Sequence, residues 1–167
     1  AISSGAKLLP IKKVEELTLK KIESNLISKK INIKKNVSWE DNKMNILIPM
    51  AGAGKRFADA GYVFPKPLIE IDNKPMIQWV IESLNFNANY IFIIQKEHQE
   101  KYNIKSVLKI LQPNCKIIEL DHITEGAACT TRLAKKFINN SNLLMITNSK
   151  QYINWNSSKD LNDLNSK

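Results

Sequence analysis

The 167-residue sequence has few of the residues that define several protein classes. Its two cysteines are too few for a disulfide scaffold or a cysteine-based zinc site. Five glycines and six prolines exclude a collagen-like or linker-like chain. No apolar run approaches the ~18 residues of a membrane span, and the first residues lack the long apolar core of a signal peptide. We therefore expect a cytoplasmic protein with no membrane partner.

Aromatic residues and arginine are also scarce. Aromatics make up 7% of the chain, and Arg56 and Arg132 are the only arginines among 25 basic residues. Nucleic-acid-binding surfaces usually combine arginine with interleaved aromatics, so the formal charge of +9 does not predict a nucleic-acid partner. Enrichment in Lys, Asn and Ile is typical of an AT-rich coding sequence. In such a chain, Arg56 indicates a role that needs a planar guanidinium, such as forked binding of a phosphate.

The sequence divides into three regions. Residues 1–43 form a basic extension, in which residues 14–26 have a helical apolar stripe and residues 30–34 alternate like a strand. A membrane-surface helix is one interpretation, but three glutamates on the stretch favour a solvated helix or linker. Residues 44–154 carry the core of one domain, and residues 155–167 are a polar tail.

The central region alternates short apolar runs with helical patterns. Strands are predicted at 45–50, 90–95, 116–120 and 143–147, and helices at 75–84, 97–111 and 127–138. Strands that alternate with helices predict an α/β fold, with a parallel sheet covered on both faces.

A glycine-containing loop follows the first strand, at Met50–Phe57. Glycine allows a ligand to approach the backbone closely, and successive free N–H groups form a nest for anions. Three cations, Lys55, Arg56 and Lys66, lie close in sequence. The loop is not a Walker A motif, and Phe57 stands where a dinucleotide-binding loop has its third glycine. An ordinary strand–helix turn with surface cations is the simpler interpretation, but GxGxR followed by PKPL favours a triphosphate site.

Several segments resemble one enzyme family: MAGAGKRF, FPKPLIEIDNKPMIQWVIESL, TEGAACTTRLAKKFINN and LLMITNSKQ. Together they are similar to the sugar-phosphate nucleotidyltransferases, also called NDP-sugar pyrophosphorylases, over about residues 44–154. The resemblance implies a Rossmann-like three-layer α/β/α fold of the nucleotide-diphospho-sugar transferase type. It also implies transfer of NMP from an NTP, with Mg²⁺ and release of pyrophosphate. The acceptor would be a sugar phosphate or a small phosphorylated alcohol such as phosphocholine.

The same resemblance assigns roles to individual residues. Arg56 would hold the β- and γ-phosphates, and Lys66 the α-phosphate at the reacting centre. Gln95 would reach a base edge, and Gly126 would let the base approach. Because this chemistry needs positioning rather than a general base, His98 and His122 are predicted to be surface or capping residues. The implied nucleotide-binding set is Ala51, Gly52, Ala53, Gly54, Lys55, Gln95, Gly126 and Ala127.

Two features depart from the family pattern. The segment Asn148–Gln151 reads NSKQ where the family has a pattern like NSDQ, so Lys150 occupies the position of an acidic metal ligand. Asp121 is the nearest other carboxylate in a strand-end loop. The family's catalytic domain also continues much further, so we expect a truncated, nucleotide-binding half. A metal-incompetent module that binds nucleotide without turnover is therefore the alternative function, with the nucleobase, acceptor and oligomeric state left open.

Overall fold

A computed structural model describes residues 43–52, 54, 57 and 59–154. The predicted helix at 14–26, the predicted strand at 30–34 and the polar tail lie outside the described residues. The described strands and helices, in chain order, are β1 Met44–Pro49, β2 Glu70–Ile71, β3 Lys74–Pro75, α1 Met76–Leu84, β4 Asn89–Gln95, α2 Lys96–Tyr102, α3 Ile104–Leu111, β5 Lys116–Leu120, α4 Ala127–Arg132, α5 Lys135–Ile138 and β6 Leu143–Ile146.

Four of the strands form one parallel sheet in the order β5-β4-β1-β6. They correspond to the four strands predicted from apolar runs, so the predicted α/β fold is confirmed. The chain runs from β1 outward through β4 and β5, then returns to β6 on the other side of β1. The strand order therefore reverses beside β1, and open α/β sheets bind ligands at the carboxyl ends of the strands at such a point. Strands β2 and β3 form a separate antiparallel pair.

Helices pack on both faces of the central strands β1 and β4, whose successive side chains point to opposite sides of the sheet. The edge strand β6 leaves Leu144 and Ile146 exposed. On one face, α1 and α3 pack their apolar stripes on the buried side chains Ile46, Ile48 and Phe92. On the other face, α5 covers Leu47 and Ile91. The result is the three-layer arrangement of an α/β/α fold. None of the helices in the described ranges is long and apolar enough to cross a membrane.

Two predicted helices are each broken, so the expectation of single helices at 97–111 and 127–138 is wrong. The first breaks at Asn103, whose φ of 47° lies in the left-handed region, which asparagine tolerates better than most residues. Its side chain donates to the Ser106 hydroxyl at 2.7 Å and so supports the start of α3. The second breaks at Leu133–Ala134, where a turn buries Ala134 completely against the sheet.

The amino end of the sheet carries a cluster of buried amides. Asn45 in β1 is fully buried, and its amide nitrogen donates to Asn140 Oδ1 at 2.9 Å. Asn89 in β4 donates to Asn45 Oδ1 at 3.1 Å, and Asn142 approaches the same oxygen at 3.5 Å. Buried amides are tolerated when their hydrogen bonds are satisfied. This asparagine cluster therefore ties β1, β4 and the loop before β6 together.

Candidate nucleotide site

A cleft of roughly 820 Å³ opens at the carboxyl end of β1. The loop after β1, the Lys66 segment, the start of α2 and the segment after β6 each contribute to its walls. This is the edge of the sheet where the reversal of strand order predicts a ligand. Its lining includes Gly52, Gly54, Phe57, Lys66, Gln95, His98 and Lys150.

The glycine-containing loop is held at its base by two hydrogen bonds to β4. The Met50 N–H donates to the Ile93 carbonyl at 2.8 Å, and the Gln95 amide donates to the Ala51 carbonyl at 2.8 Å. Gly54 has φ of +62°, a conformation that favours glycine. A Cβ at Gly52 would meet no atom of the described residues within 4 Å, so there is open space beside this glycine. The base of the loop is thus fixed, and the described space beside Gly52 is open.

Lys66 is held on a rigid support. It lies between Pro65 and Pro67 and begins a short 3-10 helix, Lys66–Leu68. The Leu68 side chain of this helix is fully buried. Its ammonium lies 4.0 Å from the centroid of the Phe57 ring, within the range of a cation–π interaction. Phe57 in turn donates its N–H to the Gly54 carbonyl at 2.9 Å. The lysine is therefore positioned next to the glycine-containing loop.

An aromatic wall, consisting of Tyr62, Phe64, His98 and Tyr102, lines another side of the cleft. The Tyr102 ring contacts both Phe64 and His98, and its hydroxyl donates to the Val63 carbonyl at 2.9 Å. This wall joins α2 to the segment before Lys66. The wall was not predicted from the sequence, because its members are far apart in the chain and its only local signal is the pair of aromatics, Tyr62 and Phe64, just before PKPL.

His98 lies in this wall with its Nδ1 buried and without a hydrogen-bond partner among the described residues. Burial lowers the pKa of His98 below its usual value, although the Glu97 carboxylate raises it and the Lys101 ammonium lowers it further. The prediction of a plain surface or capping residue is therefore incomplete, since His98 is half-buried and lines the cleft. His122, by contrast, is exposed and bonds the Asp121 carboxylate.

The lowered pKa of His98 predicts acid sensitivity of the fold. As pH falls through the ordinary histidine pKa of about 6.5, the unfolded chain takes up a proton that native His98 does not, so stability should decrease. In His98→Phe this contribution disappears, while the ring contact with Tyr102 is retained. Urea midpoints at about pH 7.5 and 5.5 measure the difference. The matched control is His122→Phe, which replaces an exposed histidine. If the urea midpoint falls by the same amount between about pH 7.5 and 5.5 in wild type and in His98→Phe, the acid sensitivity does not come from His98.

The segment after β6 brings Lys150 into the cleft. Pairing with β1 continues through Thr147, whose N–H donates to the Leu47 carbonyl at 3.0 Å. Asn148 Oδ1 then accepts the Lys150 N–H at 3.0 Å, and Ser149 is buried. These contacts fix the backbone, while the Lys150 side chain stays exposed on the cleft wall.

The structure brings some of the predicted nucleotide-binding residues together and separates others. Gly52, Gly54, Lys66 and Gln95 line the cleft. Ala51 is buried below the loop, and Gly126 and Ala127 lie exposed at the start of α4, outside the cleft lining. Gln95 is predicted to reach a base edge, and its amide nitrogen donates to the Ala51 carbonyl. Ala53, Lys55 and Arg56 lie outside the described residues.

Carboxylates contribute little to the cleft. Of the described residues that line it, only Glu97 carries a carboxylate, and Glu97 is paired with Lys101 on α2. Asp121 follows β5, two strands away from β1, and is not in the lining. Over the described ranges, no group of three or more His, Cys, Asp or Glu side chains could hold a metal ion.

Sequence comparison connects this geometry to known proteins. A family model described as "Nucleotidyl transferase" matches residues 46–166, which is most of the chain. The chain belongs to the nucleotidyl transferase family. Among curated proteins, it is 32% identical over 74 residues to mannose-1-phosphate guanyltransferases of Aspergillus oryzae and Emericella nidulans. These matches cover 37% of this chain and 20% of each relative.

Solved structures share the fold of this family member. A putative glucose-1-phosphate thymidylyltransferase from Bacillus anthracis has a TM-score of 0.55 at 17% identity, covering 74% of this chain and 50% of that one. HddC from Yersinia pseudotuberculosis has a TM-score of 0.54 at 22% identity, covering 71% and 53%. The chain thus spans about half the length of these structures and a fifth of the guanyltransferases. The predicted resemblance to NDP-sugar pyrophosphorylases is confirmed.

Proposed function

We propose that the cleft beside β1 binds a nucleoside triphosphate, and that the protein transfers its NMP to a phosphorylated acceptor with release of pyrophosphate. The observation that carries the proposal is the joint placement of Gly52, Gly54 and Lys66 in one cleft at the carboxyl end of the central strand. Open space beside the glycine-containing loop and the positioned Lys66 ammonium suit the binding of a polyphosphate. Nucleotidyl transfer, like phosphoryl transfer, needs mainly positioning of the reactants and neutralisation of their charge. A cytoplasmic location, where triphosphates are abundant, goes with this proposal.

A sugar 1-phosphate is the acceptor class that the relatives favour. The curated relatives are mannose-1-phosphate guanyltransferases, and the HddC structure was solved with GMP-PN. Both point to a guanine nucleotide as the first donor to test. Lys66 would hold the α-phosphate at the reacting centre, next to the loop that holds the rest of the triphosphate. Arg56 would complete the loop's hold on the β- and γ-phosphates.

A second candidate function is nucleotide binding without turnover. It is favoured by Lys150, which lines the cleft at a position where the resemblance implies a metal-binding acid. An ammonium attracts phosphate but cannot ligate Mg²⁺, which takes oxygen ligands. The two candidate functions share the same donor site and differ only in whether chemistry follows binding.

Pyrophosphate release separates the two functions. The protein is incubated with each of the four NTPs against a panel of sugar 1-phosphates and phosphocholine, with GTP and mannose 1-phosphate tested first. Acceptor-dependent pyrophosphate release that is lost in Lys66→Ala supports the transferase. Triphosphate binding by calorimetry with no release for any pair supports the binding module. Failure to bind any of the four triphosphates would overturn the proposed site itself.

A further inference from the structure

The charges on the cleft wall are unlike those of a metal-dependent phosphate site. The described lining includes the ammonium groups of Lys66 and Lys150 and the single carboxylate of Glu97. Glu97 is already paired with Lys101, on the exposed side of α2. The described part of the cleft therefore offers cations rather than anions to an incoming polyphosphate.

The residues of the cleft do not fit the metal that the family generally uses. Mg²⁺ binds through carboxylates together with phosphate oxygens and waters, in near-ideal octahedral geometry. Two neutral amide oxygens near Lys150 are already used locally: Asn148 Oδ1 accepts the Lys150 N–H, and the Gln151 amide oxygen accepts from Asn148. A cation at Lys150 would also repel Mg²⁺ from the same space.

We infer that Lys150 takes over the charge neutralisation of the bound phosphates, so that polyphosphate binds this cleft without Mg²⁺. The inference rests on the proposed function, since it concerns the same donor site. The backbone of Lys150 is fixed by the Asn148 turn and by buried Ser149, which limits the positions that its ammonium can reach. An ammonium is a compact point charge with three donors, well suited to phosphate oxygens.

Added Mg²⁺ should therefore leave polyphosphate binding unchanged or weaken it. In solution the metal neutralises part of the phosphate charge, and the ammonium groups of the cleft then attract the complex less strongly. In Lys150→Ala, binding in the absence of metal should weaken about tenfold, the low end for a charged hydrogen-bond partner. In Lys150→Asp, binding without metal should weaken further and should recover on addition of Mg²⁺, because a carboxylate is a ligand for it.

The experiment is calorimetric titration with inorganic pyrophosphate and with GTP, each in EDTA and in excess MgCl₂. It compares wild type, Lys150→Ala, Lys150→Asp and the control Lys135→Ala, which removes one exposed lysine of α5 outside the cleft. Metal-independent binding by wild type, weakened in Lys150→Ala but not in Lys135→Ala, is the expected result.

Three other outcomes have distinct meanings. If wild type binds both probes only with Mg²⁺, the inference is wrong and the proposed nucleotide site stands. If pyrophosphate binds without metal but no triphosphate does, the inference stands and the proposed function fails. If Lys150→Ala and Lys135→Ala weaken binding equally, the effect is one of net charge, and Lys150 has no specific role.

Discussion

Replacing Arg56 with alanine should weaken NTP binding by about 1.5–3 kcal/mol, the range for loss of a hydrogen-bond partner to a charged group. The prediction rests on sequence: arginine is nearly absent from this lysine-rich chain, yet one stands directly after the glycine-containing loop. Its planar fork can bind two phosphate oxygens at once. Gly54 and Phe57, the described residues that flank Arg56 in sequence, both line the cleft in which we propose that the triphosphate binds.

Two further variants make the Arg56 test specific. Arg56→Lys should recover only part of the lost affinity, because it restores the charge but not the fork. Arg132 is the only other arginine of the chain and is exposed on α4, so Arg132→Ala should leave the affinity for NTP unchanged. Calorimetry with GTP measures all three. Equal affinities for wild type and Arg56→Ala would remove Arg56 from the site.

Replacing Asn45 with alanine should lower the free energy of unfolding by about 2–3 kcal/mol. Asn45 is the centre of the asparagine cluster, and the substitution removes its bonds to Asn140 and Asn89 at once. Each lost bond costs about 1 kcal/mol, and a buried polar group left without its partner adds to that cost. The cluster lies at the amino end of the sheet, so nucleotide affinity of the folded protein should not change.

Urea unfolding measures this effect, with exposed Asn87→Ala as the matched control. The control should change stability by less than about 0.5 kcal/mol, as surface substitutions usually do. Parallel titration with GTP checks that the ligand site is intact. If Asn45→Ala lowers the free energy of unfolding no more than Asn87→Ala does, the buried amides do not stabilise the sheet.

The central strands β1 and β4 could be predicted from the sequence because both of their faces are buried. Runs such as Ile46–Ile48 and Tyr90–Ile94 are therefore continuously apolar. Such runs can be recognised in the sequence without knowing which residues they contact in the fold. The position of the cleft followed from the same logic, since a glycine-containing loop after a buried strand must emerge at the strand's carboxyl end. Local sequence signals of this kind predict where the cleft lies, but they do not predict which residues form its side walls.

The side walls and the helix breaks depend on tertiary contacts. Tyr102 joins the wall only because α2 packs beside the segment that precedes Lys66. The helical periodicity of residues 97–111 continues through Asn103, although that residue adopts the left-handed conformation and divides the pattern in two. The roles of Ala53, Lys55 and Arg56 remain predictions from sequence.

The placement of β1 has a consequence for the order in which the chain folds. β1 pairs with β4, which follows it after the β2–β3 pair and α1, but it pairs with β6 only after almost the entire described domain has intervened. Closing the longer loop costs more entropy, so we expect β1 and β4 to associate early and β6 to dock late. During synthesis, β6 also leaves the ribosome last of the four sheet strands. The glycine-containing loop would then be in place before Lys150 arrives, and the cleft would acquire the Lys150 ammonium as one of the final steps of folding.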